Sequence, residues 1–178
     1  MGPYDHKESL VATDLYDLTV PAFIRGLRSL SALLEKGEAY AAEKGIDPLT
    51  LTQARLIEDM APLTAQVQFA SDSAKGAVIR IGALDPLPLP DTEQSFAELQ
   101  ERIGKTIAFL ESVPRKRIDG REDAEVVLKT PHGDFPFTGR DHALGFALPN
   151  FYFHVTMAYA LLRQAGVPIG KIDYLGGI

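Results

Sequence analysis

Two polar side chains one helical turn apart are the first candidates for chemistry in this sequence. The stretch "LPNFYFHVTMAYALLRQAGV", residues 148–167, has the apolar composition of a buried helix, yet it carries Asn150 and His154. At positions i and i+4, these side chains share one helix face. An imidazole there suits zinc, nickel or iron. The pair therefore predicts either a ligand-binding pocket or a buried polar network.

A second pair, Gln68 and Asp72, has the same spacing on an earlier helical segment. It lies beside a stripe of small and branched residues: Leu63, Val67, Ala70 and Ala74. If this segment packs edge-on against the last helix, Gln68 and Asp72 point towards His154. Otherwise both are solvated, and Asp72 forms a weak surface pair with Lys75.

Three interpretations of these residues stay open. In the first, His154 donates to Asp72 or to a backbone carbonyl, and Asn150 caps a helix that restarts after Pro149. In the second, the four side chains line a vestigial or small-molecule pocket. In the third, His154 and Asp72 bind a divalent metal such as zinc or nickel, although one His, one Asn and one Asp make a poor zinc site.

The other histidines are expected to lie apart from His154. His132 falls in a predicted hairpin turn and should be exposed, while His6 is in the N-terminal segment. His142 precedes His154 by about three turns, or roughly 18 Å at the rise of an α-helix. The strings GxSxG, GxxxxGK[ST] and GxGxxG do not occur, so the sequence gives no support to those nucleophile or nucleotide loops.

Four helical patterns position these side chains. The first runs from Asp14 to Lys44 and should end at Gly45. The second covers 52–81 and is divided by Pro62, with a short helix in "LTQARLIEDM" and Asp59 as the cap of the longer helix after it. After the proline-rich stretch "LDPLPLPD", a third helix should start at Asp91 or Thr92 and end at Pro114.

The last helix should start at an Asp141 N-cap and end at Gly166, with a kink or restart at Pro149. Two β-like runs, 125–130 and 134–138, flank "PHGD" and predict a small hairpin before it. The end of the chain reads as coil, with Ile172, Tyr174 and Leu175 expected to pack on the body or on a second subunit.

Composition limits the classes of function. The 178 residues carry a net charge of −6 with 46% hydrophobic residues, and contain no cysteine. Thiolate catalysis and cysteine-ligated metal sites are therefore excluded. The single short basic run, "PRKR", is too small to follow a phosphate backbone, so we expect no nucleic-acid partner. We also expect no membrane segment and a cytoplasmic location.

Four strings carry a resemblance to a known family: "DLTVPAFIRGL", "ARLIEDMAPLTAQVQFASDSAKGA", "ELQERIGKTIAFL" and "LPNFYFHVTMAYALLRQAGVPIGKIDYLG". Within them, "PNFYFH" and "GKIDYLG" are the specific motifs. Together they resemble an uncharacterised bacterial domain-of-unknown-function family within the DinB-like superfamily. The resemblance covers Tyr16 to Gly176.

The resemblance implies a four-helix bundle, often a homodimer. Many members of the superfamily bind a divalent metal through one histidine on the second helix and a His-x-x-x-His pair on the last, and some are thiol transferases or metal-dependent hydrolases. Here only His154 matches, Asn150 stands at the position of its partner, and the second helix offers Gln66, Gln68 and Asp72 instead of histidine.

The resulting prediction is an all-α, DinB-like four-helix bundle with a small β-hairpin inserted before the last helix. Residues 1–178 form one domain, with 1–13 as a flexible N-terminal extension. The predicted function is that of a dimeric ligand-binding or non-catalytic protein with a degenerate metal-site pocket. The alternative is a metal-dependent hydrolase or thiol transferase of the DinB-like kind.

Overall fold

The computed structural model describes residues 13–177, so nearly all of the predicted N-terminal extension, and His6 with it, lies outside the described residues. Seven helices and two strands follow in chain order: α1 Leu15–Lys44, α2 Pro48–Thr52, α3 Leu63–Gly82, α4 Phe96–Ser112, β1 Glu125–Thr130, β2 Gly133–Thr138, α5 Gly139–Asp141, α6 Leu148–Gln164 and α7 Lys171–Tyr174. This mostly helical architecture with one small hairpin confirms the predicted fold class.

The long helices α1, α3, α4 and α6 form a closed bundle. Helix α1 packs on α4 and α6, and α3 packs on the same two helices from the opposite side. The core lies between them and is made of aliphatic and aromatic residues such as Phe23, Leu30, Val78, Leu99 and Phe151. On α3, the buried Ala70, Ala74 and Ala77 let α6 approach closely.

The first helix and the hairpin confirm their predictions. Helix α1 ends where Gly45 adopts φ 63°, the left-handed conformation that glycine accepts without steric cost. Strands β1 and β2 pair antiparallel with Thr130 opposite Gly133. Val126 and Leu128 are buried, and β1 packs on α3. A two-stranded hairpin needs such a support in water.

Several predicted helix starts were wrong, because stronger local signals lie nearby. Helix α4 starts at a Ser95 cap, where Ser95 and Glu98 form a reciprocal capping box, rather than at Asp91 or Thr92. The short helix before α3 is Pro48–Thr52, capped by Asp47, and not the stretch 51–60. Asp59 does not cap α3, whose N-cap position is Pro62.

The last helix also begins earlier than predicted. Thr138, not Asp141, is the N-cap, since its hydroxyl accepts the Asp141 N–H at 3.0 Å. The irregularity predicted at Pro149 lies just before it. The backbone widens to a π-helical turn over His142–Ala147 and returns to the α-helix of α6, where Pro149 is the second residue. A wide turn of this kind re-aims the side chains around it.

The end of the chain is a short helix, α7, rather than coil. Tyr174 packs against the core and its hydroxyl lies 3.0 Å from that of Thr156. Ile172 and Leu175 remain exposed, so only Tyr174 of the three predicted contacts packs on the body. None of the helices within residues 13–177 has the length and hydrophobicity that a membrane crossing requires.

We predict that Gly26→Ala destabilises the bundle. A Cβ at Gly26 would lie 2.4 Å from Cε1 of the buried Phe151, so α1 and α6 would have to separate. Overpacking of this kind costs about 1–3 kcal/mol. Gly104→Ala is the matched control, because nothing lies near its Cβ and alanine favours a helix by about 0.5–1 kcal/mol. Urea unfolding should show opposite signs for the two variants; equal effects would contradict the packing argument.

Candidate functional site

The imidazole of His154 on α6 is held by an amide on α3. Its Nδ1 lies 2.9 Å from Oε1 of Gln66, whose Nε2 donates to the Ala61 carbonyl at 3.0 Å. Because the Gln66 amide nitrogen is used at Ala61, its oxygen faces the ring, and an oxygen can only accept. Nδ1 therefore carries the proton, and Nε2 keeps its lone pair.

The surroundings of His154 favour the neutral ring. The residue is half-buried, and its ring lies 5.1 Å from that of Phe69 and 5.3 Å from that of Phe153. Burial lowers the pKa of His154 below its usual value. At neutral pH the site therefore offers an uncharged Nε2 that accepts hydrogen bonds or protons.

Asn150 also bonds to α3. Its Nδ2 donates to the Ser73 hydroxyl at 2.7 Å, and this hydroxyl donates to the Phe69 carbonyl at 2.7 Å. One interpretation predicted that Asn150 caps a restarted helix, and this was wrong. Asn150 instead joins α6 to α3 by a hydrogen bond one turn away from His154.

Asp72 is not the hydrogen-bond partner of His154. Its carboxylate lies 2.7 Å from Nη2 of Arg102 and 2.9 Å from Nζ of Lys75. The expected pair with Lys75 is present, but the buried Arg102 adds a second cation that the helical spacing did not reveal. The predicted bond from His154 to Asp72 or to a backbone carbonyl was wrong, since Gln66 takes that place.

Gln68 points away from the imidazole. It is buried and its Nε2 donates to Glu93 at 2.9 Å, while Glu93 pairs with Arg102 at 3.1 Å. Gln68 therefore fixes the proline-rich connection to α3. The prediction that Gln68 points inwards was right, but its side chain bonds to the proline-rich connection before α4 and not to His154.

The structure brings three of the four predicted residues, His154, Asn150 and Asp72, around one cavity of about 200 Å³. The remaining lining residues are Phe69, Ser73, Arg80, Leu128 and Phe146. Sequence reasoning missed Ser73 and Arg80. They are seven residues apart on α3, a spacing that returns to the same helix face, so periodicity alone contained the signal.

A larger groove of about 1020 Å³ lies along α1 and the C-terminal segment. Two ion pairs lie along it, Arg28 with Glu111 at 2.7 Å and Lys36 with Asp173, while Arg25 lines it without an ion pair to any residue in 13–177. It contains none of the residues that the sequence singled out as site candidates. The smaller cavity has unused hydrogen-bonding groups and is the better candidate site.

The donor set of the cavity does not fit a zinc or nickel centre of the three-histidine type. Within residues 13–177, no group of three or more His, Asp and Glu side chains is arranged so that it could hold a metal ion. His154 and Asp72 are the two metal-ligating side chains of the cavity, and Asp72 already contacts two cations. Structural and catalytic zinc sites use at least three protein ligands.

His142, which the sequence placed only at a helix start, is completely buried in the wide turn before α6. Neither ring nitrogen has a hydrogen-bond partner among the described residues. Its ring lies 5.7 Å from Phe137 and 5.8 Å from Phe146. Burial, helped by the charge of Arg80, lowers the pKa of His142 to about 4. His132, in contrast, is exposed in the hairpin turn as predicted.

Comparison with known proteins agrees with this fold. Residues 15–175 match the model of DUF1993, a domain of unknown function. The crystal structure of a DinB family member protein from Shewanella denitrificans is 38% identical, with a TM-score of 0.85 over 92% of this chain and 93% of that one. A search of curated proteins gives no match.

Fold and sequence together define a DinB-like helical bundle. Within that class, the chain belongs to the DUF1993 family, a family of unknown function. The family resemblance drawn from the motifs is thereby confirmed.

We predict that His142 makes the stability of the protein pH-dependent. Its folded pKa of about 4 lies below its usual 6.5, so the unfolded chain takes up a proton first as the pH falls. Stability is complete above pH 6.5 and declines towards pH 4, by about 3 kcal/mol at most.

His142→Phe removes this titration and keeps the ring between Phe137 and Phe146. Denaturant unfolding at pH 7 and pH 4 should show a smaller stability loss in this variant than in the wild type. His132→Phe, at an exposed position, should leave the wild-type loss unchanged. Carboxylates act equally in all three proteins. Identical pH profiles for wild type and His142→Phe would contradict the assignment.

Proposed function

We propose that this protein is a ligand-binding bundle whose site is the cavity between α3 and α6. One observation carries the proposal: the Gln66 amide fixes Nδ1 of His154 as a donor, which leaves Nε2 as an acceptor without a partner among residues 13–177, in a shallow cavity that is open to solvent. Asn150 and Ser73 hold the neighbouring wall. A positioned polar group among apolar walls is typical of small-molecule sites.

The alternative is a metal-dependent hydrolase or thiol transferase with His154 and Asp72 around a divalent metal. Both proposals use Nε2 of His154 and the hydrogen bond of Nδ1–H to Gln66. They differ in the further groups that are needed. A metal site needs more ligands, and within residues 13–177 the cavity adds Asp72, which already contacts Arg102 and Lys75.

We predict that protein purified without chelator carries no stoichiometric zinc or nickel by elemental mass spectrometry. We also predict that His154→Ala is about 1–3 kcal/mol less stable, because the buried oxygen of Gln66 loses its donor. His132→Ala, at an exposed position, is the control and should unfold like wild type. Stoichiometric metal that disappears in His154→Ala would favour the metal enzyme instead.

Binding itself is tested by a fragment screen with amide NMR. Fragments should shift the signals of Gln66, Ser73 and Asn150 in wild type and in His132→Ala, and these shifts should be lost in His154→Ala. A screen in which no fragment perturbs this cavity would contradict the proposed function.

We further propose that the protein is a homodimer. In support, Phe153 and Phe69 beside the cavity keep 52% and 38% of their surface exposed, although exposed aromatic side chains are more usual at interfaces than on free surfaces. Both flank His154.

Light scattering at micromolar concentration should give twice the chain mass for wild type and a single chain mass for Phe153→Asp. Ile172→Asp, a change at another exposed apolar residue on α7, should remain dimeric. A monomeric wild type would contradict the proposal.

A further inference from the structure

Arg80 is the unusual charged group of the cavity. It lies near the end of α3, is half-buried, and makes no side-chain hydrogen bond or ion pair with any residue in 13–177. A guanidinium carries five N–H donors and no acceptor. The side chain of Arg80 is half-buried, but none of its nitrogens is among the buried unpartnered atoms of residues 13–177, so its donors are accessible and free to bind an acceptor that comes from elsewhere.

The backbone makes room for this guanidinium. A Cβ built on Gly76 would lie 2.8 Å from Nη1 of Arg80, so the head group lies directly over Gly76. Long helical side chains point back towards the helix N-terminus, which directs Arg80 towards the turn that carries Asp72 and Ser73. Gly76 lines a neighbouring cleft with Ile79 and residues 86–88. Arg80 lines both that cleft and the His154 cavity, so the guanidinium lies beside both.

The negative charge of Asp72 attracts Arg80, but the two side chains form no hydrogen bond or ion pair. This attraction partly offsets the burial that lowers the pKa of Arg80. The hydrogen bonds and close ion pairs of Asp72 go to Arg102 and Lys75. The donors of Arg80 therefore remain available, and the nearby carboxylate disfavours a doubly charged ligand such as a phosphate monoester more than a monoanion.

The cavity sets three requirements for its ligand. Arg80 needs a planar anionic acceptor, for which a carboxylate is the matching group. Nε2 of His154 needs a donor, because Nδ1–H is committed to Gln66. The walls formed by Phe69, Leu128 and Phe146 favour an apolar, preferably aromatic, body, and the open cavity of about 200 Å³ offers room for a small aromatic group.

We propose that the cavity binds a small aromatic hydroxy acid, with its carboxylate on Arg80 and its hydroxyl donating to Nε2 of His154. This inference rests on the proposed ligand-binding function and adds the chemical class of the ligand.

Calorimetry with three probes tests it: 4-hydroxyphenylacetate, phenylacetate, which lacks the hydroxyl donor, and 4-hydroxyphenylacetamide, which lacks the charge. The hydroxy acid should bind roughly 10- to 100-fold more tightly than the amide, the range expected for a charge-assisted contact. It should also bind several-fold more tightly than phenylacetate, and this smaller difference should vanish in His154→Ala.

Two variants locate the anion contact. Arg80→Met removes the guanidinium and keeps much of the aliphatic stem, so the preference for acid over amide should disappear. Gly76→Ala keeps Arg80 but displaces its head group, while alanine favours the helix, so the same preference should fall in a folded protein. Gly104→Ala, with an open Cβ position, should bind all three probes like wild type.

Equal binding of acid and amide, or an acid preference that survives in Arg80→Met, would overturn the anion assignment while leaving the proposed function intact. Failure of all three probes to bind at millimolar concentration would also overturn it. The fragment screen at Gln66, Ser73 and Asn150 then decides separately whether the cavity binds ligands at all.

Discussion

The buried guanidinium of Arg102 organises one side of the bundle. Only 1% of its side chain is exposed, and it contacts Asp72 on α3, together with Asp91 and Glu93 in the connection, at 2.7, 2.9 and 3.1 Å. Its Nη1 also donates to the Pro90 carbonyl at 3.2 Å. A buried charge without partners costs several kcal/mol, so this arginine forces the acidic groups to converge on it. Helix α3, helix α4 and the proline-rich connection are thereby held in one arrangement.

This network influences the electrostatics of the cavity, because Asp72 belongs both to the network and to the cavity wall. Because Asp72 is drawn to Arg102 and Lys75, it does not pair with His154 or form an ion pair with Arg80. His154 then takes the neutral amide of Gln66 as its partner. Among the described residues, the cavity thus has one uncharged acceptor, Nε2 of His154, and one cation without an ion pair, Arg80.

The sequence predicted the parts of the fold that depend on local pattern. The helical spacing of apolar residues in α1, the glycine that ends α1 and the β-like runs of the hairpin can each be recognised from residues that are close together in the sequence. The face shared by Asn150 and His154 was likewise readable. Their partners were not, because the contacts of Gln66 and Ser73 depend on the register between α3 and α6, which periodicity leaves open. Arg102 was missed for another reason: an arginine within "QERIGK" looks like a solvent-facing residue, and only the distant acids reveal its burial.

The hydrogen-bond partners on α3 show what the residues that depart from the three-histidine pattern do in this structure. Asn150 stands where the family resemblance leads us to expect a histidine, and its amide nitrogen donates to the Ser73 hydroxyl, so this group faces an acceptor rather than a cation. The oxygen of Gln66 accepts the His154 N–H and so fixes the orientation of the ring. These two bonds join α3 and α6 in opposite sequence order, as expected for antiparallel helices, and hold the cavity wall together without an ion. Among residues 13–177 the groups left without a partner are a lone pair on His154 and the donors of Arg80. A metal ion could use the lone pair, but the positive charge of Arg80 in the same cavity disfavours a cation and calls for an acceptor instead.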